Sequence, residues 1–446
     1  MRHSIVMCCD FFYPRIGGVE QHIWSLSQSL LALGHNVVVV TGRYAAPGSG
    51  ARRVGVRYMA GGLRVYHLPH APMADQSSLP TYFALLPLLR AIFLRERATL
   101  AHGHAATSVF THDFIFAARS LGLPAIFTDH SLFGSSDFSS INVNKYLSFT
   151  LRDVQAVIAV SEVTRGNVCA RSGVEPALVF TIPNAIDANK FRPSMRARDG
   201  SSSTITVVML SRLVFRKGVD LAAQVIPRAC ARWPLMNFLI GGDGPKRALL
   251  ERMRDAHGLA DRVSLIGAVP HERVRDVLVR GTIFLNCSLT ESFCIAILEA
   301  ACAGCHVVTT NVGGTPEVLP GHMVTLAEPT PDDLLRALGE SLEKAALTDA
   351  LAQHDELAEM YAWPEVAART AEVYDSACAE PQPTLGERFG RLAGGGPVFG
   401  PVTVILAALV HLMALILEVL APACDIDAAP RAPDDYDVYH VAQGER

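Results

Sequence analysis

Thr290-Glu-Ser-Phe-Cys-Ile-Ala-Ile-Leu-Glu299 sets two glutamates at either end of an almost wholly apolar run. Just before it, Ile283-Phe-Leu-Asn286 has the composition of a short buried strand. A strand that passes through a loop into a buried helix is the repeating unit of a parallel α/β sheet. On this reading Glu291 lies in the loop and Glu299 two turns into the helix. About 800° of helical rotation would then bring both to nearly the same side. Helix glutamates usually sit on a solvated face, so acids on a buried helix need a reason. Carboxylates accept well from the vicinal hydroxyls of a sugar or a ribose.

The same alternation extends in both directions. Apolar runs predict strands at Thr204–Leu210, Asn237–Gly241, Val263–Ile266, His306–Thr310 and Met323–Leu326 in the second half. In the first half they predict Ser4–Cys9, Asn36–Thr41, Leu63–Leu68, Leu100–His102, Ala125–Thr128, Ala156–Val160 and Val179–Ile182. An amphipathic helix from Glu20 to Leu33 is stopped by Gly34. Residues 193–203, rich in Ser, Arg and Gly, read as a linker. The fold class is therefore α/β, with two Rossmann-like, doubly wound domains facing a cleft: residues 1–192, then, after the linker, residues 204–380. Ligands of such sheets bind beyond the carboxyl ends of the strands.

Composition narrows the class further. Half of the 446 residues are hydrophobic and the net charge is only −4, which argues against a nucleic-acid partner. Basic residues outnumber acidic ones before residue 190, and the reverse holds after it. The ten cysteines follow no framework spacing and read as reduced thiols. Cys302-Ala-Gly-Cys305-His306 matches a haem-attachment string, but Gly304 at a helix end explains it better. No secretory signal is visible at the N-terminus.

Phe399 to Leu420 is a different kind of segment: 22 residues, long and apolar enough to cross a bilayer. It comes after a Pro/Gly-rich tether (residues 381–398), with Gly394-Gly-Gly-Pro397 isolating it from any further element. Arg388 and Arg391 precede it, and Asp425, Asp427, Asp434, Asp435 and Asp437 come after it. That asymmetry predicts a cytoplasmic body and a short lumenal tail, residues 421–446. His411 and Glu418 share a face of the segment, as groups that meet a companion subunit would. Leu85–Thr99 mixes apolar residues with Arg90, Arg95 and Arg97, and suits either a membrane surface or a helix packed on the sheet.

Three other loops carry chemistry. Gly17 and Gly18 open a helix and let a ligand approach backbone N–H groups at its positive end. Arg212 and Lys217, in Ser211-Arg-Leu-Val-Phe-Arg-Lys-Gly218, can neutralise a diphosphate and stabilise it as a leaving group. Gly242, in Gly241-Gly-Asp-Gly-Pro245, marks another close approach at the same edge. No Gly-x-Gly-x-x-Gly fingerprint is present, which weakens a dinucleotide oxidoreductase. His102, His104, His112 and His130 cluster in the first half, and His130 lies just past a strand. Their spacing matches no metal motif, and a ligand-contacting role for His130 is the simpler reading.

Taken together these motifs resemble family 4 of the retaining GT-B glycosyltransferases, whose E-x7-E is matched by Glu291 and Glu299. Within it, the chain is similar to the catalytic subunits of the GPI N-acetylglucosaminyltransferases. The similarity rests on Asp10-Phe-Phe-Tyr-Pro14, Gly17-Gly-Val-Glu20, Phe127-Thr-Asp-His-Ser-Leu-Phe-Gly134, Ser211–Gly218, Gly244-Pro-Lys-Arg247, Leu285–Cys294 and Pro316-Glu-Val-Leu-Pro320. It covers about residues 4–325. The resemblance implies transfer of GlcNAc from UDP-GlcNAc to phosphatidylinositol with retained configuration. It assigns Glu299 to the ribose and Arg212 and Lys217 to the diphosphate, aided by Gly17, Gly18, Gly242, Ser292 and Phe293. Glu291 would hold sugar hydroxyls, and His130 would lie near the sugar and the incoming hydroxyl. It further implies no metal cofactor, companion subunits, and a single-pass protein of the endoplasmic reticulum membrane. Another lipid or oligosaccharide glycosyltransferase of this fold, or an inactive nucleotide-sugar-binding scaffold, would share the pattern.

Overall fold

The computed structural model describes residues 1–14, 17–45, 52–70, 78, 80, 81, 84–132, 138–194 and 204–430. Contacts divide it into two units, Met1–Pro183 with Trp363–Arg446, and Asn184–Ala362.

Unit 1 is built on β1 (Ser4–Cys8), β2 (Asn36–Gly42), a short pair β3 (Tyr44–Ala45) and β4 (Arg52–Arg53), then β5 (Gly55–Met59), β6 (Leu63–Leu68), β7 (Leu100–His104), β8 (Ala125–Asp129), β9 (Ala156–Ala159) and β10 (Val179–Thr181). The main sheet runs β10-β9-β8-β7-β1-β2-β6-β5. Every pairing in it is parallel except that of β5 with β6. Val37 to Val40 are all buried, as expected of a strand covered on both faces. The predicted strands of this half are all present. Strand β5 was not expected, because its Gly-Val-Arg-Tyr-Met is only partly covered and carries no apolar run.

Unit 2 repeats the plan with β11 (Ile205–Leu210), β12 (Met236–Gly241), β13 (Val263–Gly267), β14 (Ile283–Asn286), β15 (His306–Thr310) and β16 (Val324–Ala327). They are ordered β13-β12-β11-β14-β15-β16, all parallel. The haem-like string is structural: helix Ile295–Cys302 ends before Gly304, and Cys302 and Cys305 are fully buried.

Two boundaries differ from expectation. The division falls at Pro183/Asn184 rather than at residues 193–203, of which 195–203 lie outside the described residues. Helix Trp363–Ala379 belongs to unit 1, although the chain order suggested the second domain. Its inward face, Val366, Ala367, Thr370, Val373, Tyr374 and Ala377, packs there, and Arg369 donates to the Thr181 carbonyl at 2.7 Å.

The apolar segment forms one helix, Phe399–Leu420, long and apolar enough to cross a membrane. Much of it is exposed, with Ile405 at 60% and Val419 at 81%. It is not isolated, however. Thr403, Ala407, Val410 and Ala414 are buried, and Ala407 and Val410 join the core that holds Phe114. Glu418 pairs with Arg90, which also donates to the Ala421 carbonyl at 2.8 Å. His411 Nδ1 lies 3.4 Å from the Ser120 carbonyl. The face expected to meet a companion subunit thus contacts its own chain. Ala429 N–H donates to the Arg95 carbonyl at 2.8 Å, so the start of the expected lumenal tail rests on unit 1, while residues 431–446 lie outside the described residues. Helix Leu86–Arg95 buries Leu86, Leu89, Arg90, Ile92 and Phe93, which makes it an internal helix rather than a surface one.

Candidate active site

Four loops of unit 2 lock together at the carboxyl ends of β11, β12, β14 and β15. Gly218 has φ +66°, and a Cβ there would lie 1.7 Å from the Cys287 carbonyl oxygen. Gly242 has φ +127°, and a Cβ there would lie 1.8 Å from the Ser211 carbonyl oxygen. Only glycine permits both the backbone angle and the approach. Leu289 N–H donates to the Arg216 carbonyl at 2.8 Å, and Leu213 N–H to the Asp243 carbonyl at 2.8 Å. Gly314 N–H donates to the Glu291 carbonyl at 3.0 Å, tying in the Gly313-Gly314 loop.

This frame fixes the charged groups. Lys217 Nζ pairs with Glu291 Oε1, and both side chains are largely covered. Ser288 Oγ donates to the same carboxylate at 2.7 Å. Arg212 is exposed, with no ion-pair partner among the described residues, so its guanidinium is open to an anion. Glu299 is the counterpart: its carboxyl has no hydrogen-bond or ion-pair partner among the described residues, and burial pushes its pKa up to about 8. A partly covered acceptor of this kind suits a ligand hydroxyl.

Three expectations change here. Helix Ile295–Cys302 begins after Glu291, so helical rotation does not align the two glutamates. Glu291 is oriented by Lys217 and Ser288 instead. Gly242 N–H is already donated to the Gly267 carbonyl at 2.7 Å, so it supports the Arg212 loop and does not offer that N–H to a ligand. The Phe293 ring is buried edge-on to Tyr361 at 5.9 Å, which leaves its backbone as the part able to face a ligand. Ser292 sits beside it, half-buried.

In unit 1, Gly17 caps helix Gly18–Ala32 in extended backbone. The Glu20 carboxyl folds over it: a Cβ on Gly17 would lie 2.4 Å from Glu20 Oε2. An acid near the helix start suits the helix dipole, and a phosphate approaching Gly17 and Gly18 would meet this carboxylate.

His130 lies one residue past β8. Its Nε2 lies 3.3 Å from His104 Nδ1, and its ring packs edge-on to His22 with centroids 4.6 Å apart. Behind them His102 is held by the Tyr374 hydroxyl at 2.6 Å and the Thr128 hydroxyl at 2.7 Å. Burial first, and the neighbouring imidazoles second, hold His104 and His130 well below the usual histidine range, so both are neutral. Asp129 beside His130 is fully buried and pairs with Arg171 at 3.3 Å, yet burial still raises its pKa to about 6. Of the four histidines grouped in the sequence, His102, His104 and His130 come together, whereas His112 turns to the Thr150 hydroxyl and the Ala106 carbonyl at 3.0 Å each; His22, Glu20 and Ser288 were not expected there. For His22 a signal existed, one helical turn beyond Gly18 on the inward side.

The chain is similar to known proteins in sequence and in fold. Residues 49–137 match the family PIGA (GPI anchor biosynthesis), and residues 204–344 match Glycosyl transferases group 1. A phosphatidylinositol N-acetylglucosaminyltransferase subunit of Arabidopsis thaliana is 48% identical over 96% of this chain and 94% of its own. Its Homo sapiens namesake is 45% identical over 96% of this chain and 87% of its own. Among solved structures, a glycosyltransferase from Rickettsia africae superposes with a TM-score of 0.67 at 14% identity, over 85% of this chain and 100% of its own. The fold is GT-B, and the chain is a glycosyltransferase by these matches.

Proposed function

Because the chain belongs to this family of phosphatidylinositol N-acetylglucosaminyltransferase subunits, we propose that it transfers GlcNAc from UDP-GlcNAc to inositol O-6 of phosphatidylinositol, with retention, the first step of GPI-anchor assembly. The observation that carries this reading is the loop cluster of unit 2, where Arg212 is open, Lys217 is paired with Glu291, and Glu299 has no partner among the described residues. A nucleoside diphosphate sugar uses all four. Its diphosphate meets Arg212 and Lys217, its ribose hydroxyls donate to Glu299, and its sugar hydroxyls meet Glu291. Unit 2 is then the donor domain and unit 1 the acceptor domain.

The bond between the sugar C1 and the diphosphate oxygen breaks as the bond from inositol O-6 to C1 forms on the same face. The acceptor proton passes to the leaving diphosphate. Arg212 and Lys217 stabilise the charge that develops there, so the reaction needs no metal cofactor. Glu291, held by Lys217 and Ser288, serves as a fixed acceptor rather than a nucleophile. Neutral His130 is a hydrogen-bond partner for the incoming hydroxyl. Helix Phe399–Leu420 supports attachment to a membrane; that this is the endoplasmic reticulum membrane, with the catalytic part cytoplasmic and companion subunits around it, belongs to the same proposal and rests on the resemblance to its relatives. Crossing the bilayer would release Glu418 from Arg90 and Ala429 from Arg95. A glycosylation acceptor added at the C-terminus reports which side that end occupies.

The test is to incubate membranes bearing the full chain and its companion subunits with labelled UDP-GlcNAc. A labelled GlcNAc-inositol phospholipid is expected, and excess UDP should compete far better than GDP. Transfer that persists in an assembled complex carrying Lys217→Ala would favour a scaffold role instead.

A further inference from the structure

The histidines of unit 1 come together from elements far apart in sequence: His22 from helix Gly18–Ala32, His104 from the end of β7, and His130 from the residue after β8. One nitrogen from each lies within 4.8 Å of the others. Two nitrogens bound to one tetrahedral zinc, at roughly 2.0–2.1 Å each, stand about 3.3–3.4 Å apart. His104 Nδ1 and His130 Nε2 are already 3.3 Å apart. That distance serves equally for a hydrogen bond between two neutral rings, so the pair can exchange a shared proton for a shared ion.

We propose that His22, His104 and His130 form a binding site for a zinc-class ion, which occupies His130 and so inhibits the enzyme. Three points support it beyond the spacing. Imidazole nitrogens suit zinc, cobalt, nickel and copper, whereas magnesium prefers oxygen ligands. His22 and His104 are buried and His130 is half-buried, so the cluster is shielded yet reachable from one side. The backing is rigid: His102, fixed by Tyr374 and Thr128, lies with its ring 4.1 Å from that of His104. A three-histidine site leaves a fourth position for water. Such an ion is not a cofactor of the transfer. The inhibitory part rests on the proposed place of His130 beside the acceptor hydroxyl.

Cobalt(II) titrated into the purified full chain reads the site without reference to activity. The expected result is the intense visible absorption of a four-coordinate nitrogen site at one equivalent, abolished by zinc and untouched by magnesium. His22→Gln and His104→Gln should each weaken cobalt binding at least about tenfold, since even the loss of a group behind a ligand costs that much. Two variants guard against misfolding of either one, and far-ultraviolet circular dichroism checks both. Cobalt that keeps the weak spectrum of its hydrated ion, or a four-coordinate spectrum that survives both substitutions, overturns the site. In the transfer assay zinc should inhibit the wild type, and about tenfold more should be needed for His22→Gln. Cobalt binding as described with no inhibition by zinc would leave the site standing and overturn the place given to His130.

Discussion

The two sheets end in opposite chemistry. At the carboxyl ends of the unit 2 strands the working groups are charged: Arg212, Lys217, Glu291 and Glu299. At the corresponding ends of β7 and β8 in unit 1 they are imidazoles held neutral by burial. The supports differ as well. Unit 2 positions its charges with glycines that let backbone touch backbone, whereas unit 1 positions His102 through a tyrosine and a threonine hydroxyl. A diphosphate leaving group calls for fixed charge in a preorganised frame. A hydroxyl acceptor calls only for neutral hydrogen-bond partners. Under the proposed function, one fold, used twice, would meet these two needs by changing the loop after each strand.

The contrast can be tested at several strengths. The largest effect is expected at the glycines of unit 2. Gly218→Ala puts a Cβ 1.7 Å from the Cys287 carbonyl oxygen at positive φ and should destabilise the protein by about 3 kcal/mol or more in denaturant unfolding. Gly258→Ala, at φ +65° but with nothing within 4 Å, isolates the backbone contribution and should cost about 1 kcal/mol. Lys217→Ala comes next. It removes one cation from the proposed diphosphate site and strands Glu291, so turnover should fall about 10²–10³-fold with the fold intact.

A pH profile probes Glu299. Its pKa near 8 means the carboxyl is largely protonated at neutral pH, while ribose hydroxyls prefer the ionised acceptor. UDP binding should therefore tighten as pH rises toward 8 and level off above it, and Glu299→Gln should flatten that profile in calorimetry. The smallest effect belongs to unit 1. Tyr374→Phe deletes the hydroxyl on His102 Nδ1 and should cost about 1–2 kcal/mol of stability, with UDP affinity unchanged.

Most of this architecture is legible in the sequence because strand and loop signals are local. Val37 to Val40 can only be a buried strand, and the Ser211–Gly218 loop announces its cations. Long-range choices were not legible. Nothing in Trp363–Ala379 says which sheet its apolar face covers, because a helical pattern fixes the face and not its partner. The sequence likewise does not show that the Gly242 N–H is spent on the Gly267 carbonyl. His22 escapes notice because its partners, His104 and His130, are brought to it only by the parallel order β8-β7-β1. Composition alone made Phe399–Leu420 look detached, since the pattern does not reveal that Glu418 has Arg90 to pair with.

Ile186 forms a bridge with Ala362, and its N–H donates to the Tyr361 carbonyl at 3.0 Å. Unit 2 therefore leaves and rejoins the rest of the chain at adjacent points, as an inserted domain does. Segment Asn184–Ala362 can be lifted out as one piece with its ends already side by side. It is a candidate for expression alone, for circular permutation, or for replacement by the matching piece of a relative, and a changed sugar preference in such a chimaera would assign donor choice to this unit.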